Sequence, residues 1–169
     1  MAEKNYLRLY GASVLFLLML LDTQITRLFD TATQHVYLAN AHLFLIGLMV
    51  CCMTLSKRYM MITGVVLGVL FDCYYIGAIG IYTVAMPFVI WLMYLLSKVL
   101  YRNIFTMFFG TIILVTAYEL VVVLIQQLFN LTNISMNFFV ARFLGPTLLL
   151  NLLLFILFIY PFKKIFAAK

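Results

Sequence analysis

Charge is what this sequence has least of. Five acidic and eleven basic residues are spread over 169 positions, so 9% of the chain is charged, against about 25% in a soluble domain. So few charges cannot clothe a soluble globule, which excludes a soluble enzyme and a nucleic-acid-binding module. Histidine is nearly as scarce, with two residues, and the three cysteines (Cys51, Cys52 and Cys73) sit in apolar runs. An odd number without framework spacing argues against disulfides or metal ligands and reads as buried thiols. No His/Asp/Glu grouping stands at metal-ligand spacing, and there is no nucleophile–base pair or phosphate-gripping basic motif. No catalytic residue, metal or cofactor is therefore assigned, and the chain does not read as an enzyme.

What remains is apolar: 67% of the residues are hydrophobic. Charged residues cut the chain into apolar runs at 9–21, 31–56, 59–71, 73–97, 103–118, 120–141 and 143–162. A spanning helix needs about 20 apolar residues to cross roughly 30 Å of hydrocarbon. Several runs are shorter, so some helices must carry an acidic residue inside them. The reading is an all-α integral membrane protein with six transmembrane helices, at 7–27, 36–55, 59–75, 79–97, 103–128 and 143–162. Residues 1–169 then form a single polytopic domain, with no loop long enough to fold separately and no evident repeat. The first run follows Lys4 and Arg8 as a signal peptide would, but it runs into Leu-Leu-Asp22-Thr-Gln instead of a small-residue cleavage site. It reads as a retained helix.

Basic residues orient the bundle. With six spans, Lys4, Arg8, Lys57, Arg58, Lys98, Arg102, Lys163, Lys164 and Lys169 fall on one side, and only Arg27 and Arg142 on the other. Nine against two places both termini in the cytoplasm. The basic tail suits an anionic inner leaflet. A polar stretch at 130–137 links the last two spans, and its two chance-level glycosylation patterns carry no weight.

The polar residues inside the spans are the functional candidates, because a charge at the bilayer centre costs about 2.5–3.5 kcal/mol on insertion scales. A rise of about 1.5 Å per residue, counted from each basic edge, puts Asp22 and Asp72 about 21 Å up, Glu119 about 26 Å and Arg142 about 32 Å. Asn40 and His42 lie at the outer start of the second span. These six converge on the outer half of the bundle. Two readings stay open: the groups pair with one another, with Asp72–Arg142 the favoured pair, or they line a cavity and meet a partner. Gly64, Gly68 and Asp72 recur every fourth residue and share a helix face, with Gly64 and Gly68 forming a small-xxx-small step for close backbone approach. Gly77 and Gly80 flank the next turn. Pro87 falls inside the fourth span and is expected to kink it, while Gly145-Pro146 suits the first turn of the sixth.

The segment Gly64-Val-Val-Leu-Gly-Val-Leu-Phe-Asp72-Cys-Tyr-Tyr-Ile-Gly77-Ala-Ile-Gly80-Ile-Tyr82 resembles the central signature of the rod shape-determining MreD family. The length, the hydrophobic six-helix layout and the basic tail resemble that family too. The resemblance implies a non-enzymatic, multi-pass subunit of the bacterial cytoplasmic membrane that acts in peptidoglycan elongation. Its partners would be a bitopic MreC-like protein and, indirectly, MreB-like filaments and the RodA and penicillin-binding synthases, with membrane lipids around it and no nucleic acid. It also implies a fold similar to the S components of energy-coupling-factor vitamin transporters, which supplies the alternative, a substrate-binding S component. Such components carry an Ala-xxx-Ala stripe on their first helix. Here Gly11-Ala12-Ser13 has no small residue four positions on, and the scaffold reading stands first.

Overall fold

Long apolar runs interrupted by only three prolines give long helices. In the computed structural model, residues 2–34, 36, 38–76, 80–132 and 136–166 are described. Gly77 and residues 133–135 lie outside them. The chain forms α1 (Ala2–Ala32), α2 (Leu43–Thr54), α3 (Lys57–Phe71), α4 (Ile81–Leu95), the single turn α5 (Ser97–Leu100), α6 (Ile104–Leu128), the short α7 (Met136–Phe138) and α8 (Gly145–Phe166). π-helical turns occupy Asp72–Ile76 and Phe139–Leu144. No strand occurs among the described residues.

Among the described residues, three stretches are long and apolar enough to cross a membrane: Tyr10–Ala32, Ile104–Leu128 and Phe139–Lys164. α2 and α4 are apolar but shorter. The expected second span begins at 36, whereas α2 begins at Leu43, because residues 39–42 are not helical. Its 12 residues reach only about 18 Å.

The chain divides into two compact units, residues 1–54 with 135–169 and residues 55–134. In the first, α2 packs against both α1 and α8. α2 is apolar all round and buried from Leu43 to Cys52, as expected of a helix at the centre of its unit. α1 contributes a stripe at helical spacing, with Leu15, Leu18, Met19 and Asp22 buried. A Cβ added at Gly47 would sit 2.7 Å from Leu18 Cδ1, so the two helices are in close contact there.

Pro146 falls in the first turn of α8, as expected. It lies one residue into α8, directly behind the π-helical turns, in a helical run that starts at Met136. Proline has no N–H, so it cannot bond the carbonyl four residues back. That carbonyl belongs to Arg142, and it accepts the Leu38 N–H instead at 3.1 Å.

In the second unit α4 packs against α3 and α6, with Pro87 inside α4. Tyr94 donates its hydroxyl to the Leu55 carbonyl at 2.7 Å, tying the start of the unit to the end of α4. α6 opens on Asn103, whose N–H bonds the Thr106 hydroxyl at 2.9 Å. Beyond its end Asn130 takes φ 53°, the left-handed conformation that commonly stops a helix. Cys51 and Cys52 are buried as expected, but Cys73 is exposed. It follows Asp72 into the π-helical turn and leaves the face on which Gly64, Gly68 and Asp72 line up.

Candidate functional site

The polar candidates divide between the units: Asp22, Asn40, His42 and Arg142 belong to the first, Asp72 and Glu119 to the second. Each unit uses a buried aspartate in the same way, to hold the N-terminus of its central helix.

In the first unit the entry to α2 is a non-helical segment within an apolar setting. Its amide groups cannot reach a helical partner, and each left unbonded would cost about 1–3 kcal/mol. Five consecutive N–H groups are met by side chains. Asn40 N–H donates to Thr147 Oγ1 at 3.1 Å, Ala41 N–H to Thr26 Oγ1 at 2.9 Å, and His42 N–H to Asn151 Oδ1 at 2.7 Å. Leu43 N–H then donates to Asp22 Oδ1 at 2.6 Å and Phe44 N–H to Asp22 Oδ2 at 2.9 Å. Asn151 returns the bond, its Nδ2 donating to the Asn40 carbonyl at 2.7 Å and to the Thr147 carbonyl at 2.8 Å. Asp22 and Thr26 lie four apart on α1, Thr147 and Asn151 four apart on α8, so each pair shares a helix face. Asp22, His42, Thr147 and Asn151 are all buried. Irregular backbone is tolerated at membrane depth only where protein encloses it in this manner.

In the second unit Gly80 precedes α4 at φ 129°, a value that side chains disfavour, and it has no side chain to cap the helix. Asp72 does so from the end of α3. Its Oδ2 accepts the Gly80 N–H at 2.8 Å, the Thr83 N–H at 3.0 Å and the Thr83 hydroxyl at 2.7 Å. Its Oδ1 accepts the Tyr82 N–H at 2.9 Å. Four donors converge on a side chain that is 0% exposed, and the two carboxyl oxygens have lone pairs enough to accept them all. These oxygens sit at the N-terminus of α4, where unpaired N–H groups gather the positive end of the helix dipole. Close approach makes this reach short. A Cβ on Gly68 would lie 2.7 Å from both Thr83 Cα and the Tyr82 carbonyl oxygen, so the α3 backbone rests on that of α4. At Gly64 the atom met is the end of the Ile90 side chain.

The Asp72–Arg142 pair favoured by depth is replaced by other partners. Asp72 has its donors in residues 80–83, and the Arg142 guanidinium is exposed and stacks over the Phe138 ring at 5.9 Å. Depth located these two groups but carried no information about backbone groups needing a partner. Glu119 is buried on α6, at 1% exposure. Thr26, Thr147 and Asn151 were not singled out in the sequence. A signal existed, since Asn151 is a lone amide within Leu148–Leu154, an otherwise all-leucine stretch, and Thr147 precedes it by one helical turn. Among the described residues no group of three or more His, Cys, Asp or Glu could hold a metal ion.

Comparison with known proteins places this arrangement in context. The family model described as rod shape-determining protein MreD matches residues 4–169. A cell shape-determining protein MreD of Streptococcus pneumoniae is 30% identical over 145 residues, covering 86% of this chain and 88% of that protein. A rod shape-determining protein MreD of Bacillus subtilis is 28% identical over 114 residues, covering 68% and 66%. No solved structure matches the chain with significance.

Proposed function

From the premise that this chain belongs to the MreD family of rod shape-determining membrane proteins, we propose that it is a non-enzymatic scaffold of the cell-elongation machinery. The observation that carries the reading is the family match along residues 4–169. In this reading the chain is one polytopic domain of the bacterial cytoplasmic membrane, with six spans and both termini inside. It binds the transmembrane helix of a bitopic MreC-like protein, and through it reaches MreB-like filaments and the RodA and penicillin-binding synthases. The polar geometry supports a scaffold. Asp22, Asp72, Thr147 and Asn151 serve the chain's own backbone, which is the work of groups that hold a shape. Gly64 and Gly68 serve the packing of α3 on α4, so the partner helix meets other faces. Recognition in lipid then rests on close packing and a few polar contacts, since there is little hydrophobic drive between helices there.

Depletion in the host tests this. Cells losing the protein should become rounder while still inserting their other membrane proteins, and detergent extracts should yield the protein together with a bitopic partner. Normal shape after complete depletion, or a purified protein carrying a small vitamin and no partner helix, refutes the scaffold.

A further inference from the structure

The second unit is electrically lopsided. Its cations are Lys57, Arg58, Lys98 and Arg102, and its acidic residues are Asp72 and Glu119. The helices set these apart. Asp72 lies fourteen residues beyond Arg58 and Glu119 fifteen beyond Ile104, about 21–22 Å along the helices in each case. That is far beyond the reach of an ion pair, so neither carboxylate meets the cations directly.

The fold brings the four cations to one end. α3 and α4 run antiparallel, since Gly68 meets Thr83 and Gly64 meets Pro87 and Ile90. The bond from the Tyr94 hydroxyl to the Leu55 carbonyl fixes the start of α3 beside the end of α4. Lys57 and Arg58 open α3, which has no acidic residue in its first turn. Lys98 and Arg102 follow α4, and Leu100 between them is buried against Gly110 of α6. All four side chains are exposed.

Their surroundings say what faces them. Large apolar side chains sit among the cations with most of their surface open: Leu95 at 62% exposure, Val99 at 65%, Ile104 at 53% and Phe105 at 77%. A surface for a soluble acidic protein would not present so much hydrocarbon beside its charges. Apolar bodies below and cationic heads above are the chemistry of the boundary between acyl chains and headgroups. We propose that this end of the second unit is a binding site for the phosphate of an anionic phospholipid, held between the Lys57–Arg58 and Lys98–Arg102 pairs with its acyl chains along Leu95, Val99 and Phe105. Arginine suits this role because its planar fork grips a phosphate through two bonds.

The test uses the full-length protein in a neutral detergent, with native mass spectrometry counting retained lipid during titration with phosphatidylglycerol or phosphatidylcholine. Phosphatidylglycerol should be retained in preference, and each cation replaced in K57Q, R58Q, K98Q and R102Q should weaken retention roughly fivefold. The K163Q/K164Q variant, which alters the other unit, should retain it as before. Equal retention of the two lipids, an undiminished quadruple variant, or the same loss from K163Q/K164Q overturns the proposal. So does binding of a polyglutamate peptide in place of lipid. Removing these cations also weakens topological signals, so salt provides a second measurement on the unaltered protein. Raising it from 0.1 to 1 M shortens the screening length from about 10 to about 3 Å and should release phosphatidylglycerol. Salt-independent retention overturns the proposal as well.

Discussion

At the scale of single residues, a carboxylate inside this protein is an organiser of backbone. Asp72→Ala strands the N–H groups of Gly80, Tyr82 and Thr83, and loss of a helix cap alone costs about 0.5–2 kcal/mol. The loss here should be at the upper end or above, read as a lower unfolding temperature in detergent. Asp72→Asn should recover part of it, since one amide oxygen still accepts. Equal stability of Asp72→Ala and the parent would contradict the capping role. Asn151→Leu is the more telling change, because it makes α8 more apolar and so eases insertion. It nevertheless leaves the His42 N–H and the Asn40 carbonyl without the partner seen here, and each unmet group costs about 1–3 kcal/mol. A fall in thermal stability with unchanged membrane insertion is the expected outcome. Asp22 and Asp72 were legible in the sequence because a charge in an apolar run is conspicuous. Thr147 and Asn151 were not, because their partners are main-chain groups and no residue letter records which amides a fold will leave unbonded.

At the scale of elements, the two glycines on α3 are not equivalent, although their four-residue spacing makes them look so. Gly68→Ala would push a methyl group into the backbone of α4, which cannot move aside without separating the helices. Gly64→Ala clashes only with the end of Ile90, a side chain that can change rotamer. Purified variants compared by thermal unfolding should rank Gly68→Ala well below Gly64→Ala, and the opposite order would refute the backbone contact. Helix positions were legible from the apolar runs. Their ends were less so, for physical reasons at each place. α2 starts seven residues later than expected because side chains take the N–H groups of 40–44. The helical run that carries the last span begins at Met136, ahead of the expected 143, because π-helical turns lead straight into α8.

At the scale of the whole chain, the membrane reading rests on apolar length, which three helices among the described residues satisfy, while the count of six rests on charge. Single cysteines at Lys57 and at Leu131, in a background lacking the native three, should label from opposite sides with an impermeant thiol reagent. Labelling of both from outside would defeat the six-span arrangement.

The polar clamp around residues 40–44 also has a consequence in time. The second unit is continuous, 55–134, whereas the first needs residues from both ends of the chain. On the ribosome α3, α4 and α6 are all available before α8 has been translated. The amides of Asn40 and His42 must wait for Thr147 and Asn151, so the first unit cannot close until the final helix leaves the translocon. A cysteine pair at Leu55 and Tyr94, bridged by a bifunctional thiol reagent that spans the length of the tyrosine side chain, should therefore cross-link on nascent chains arrested ahead of α8, and a pair at Asn40 and Thr147 only on released ones. The piece of the protein made first is thus among the last to become rigid.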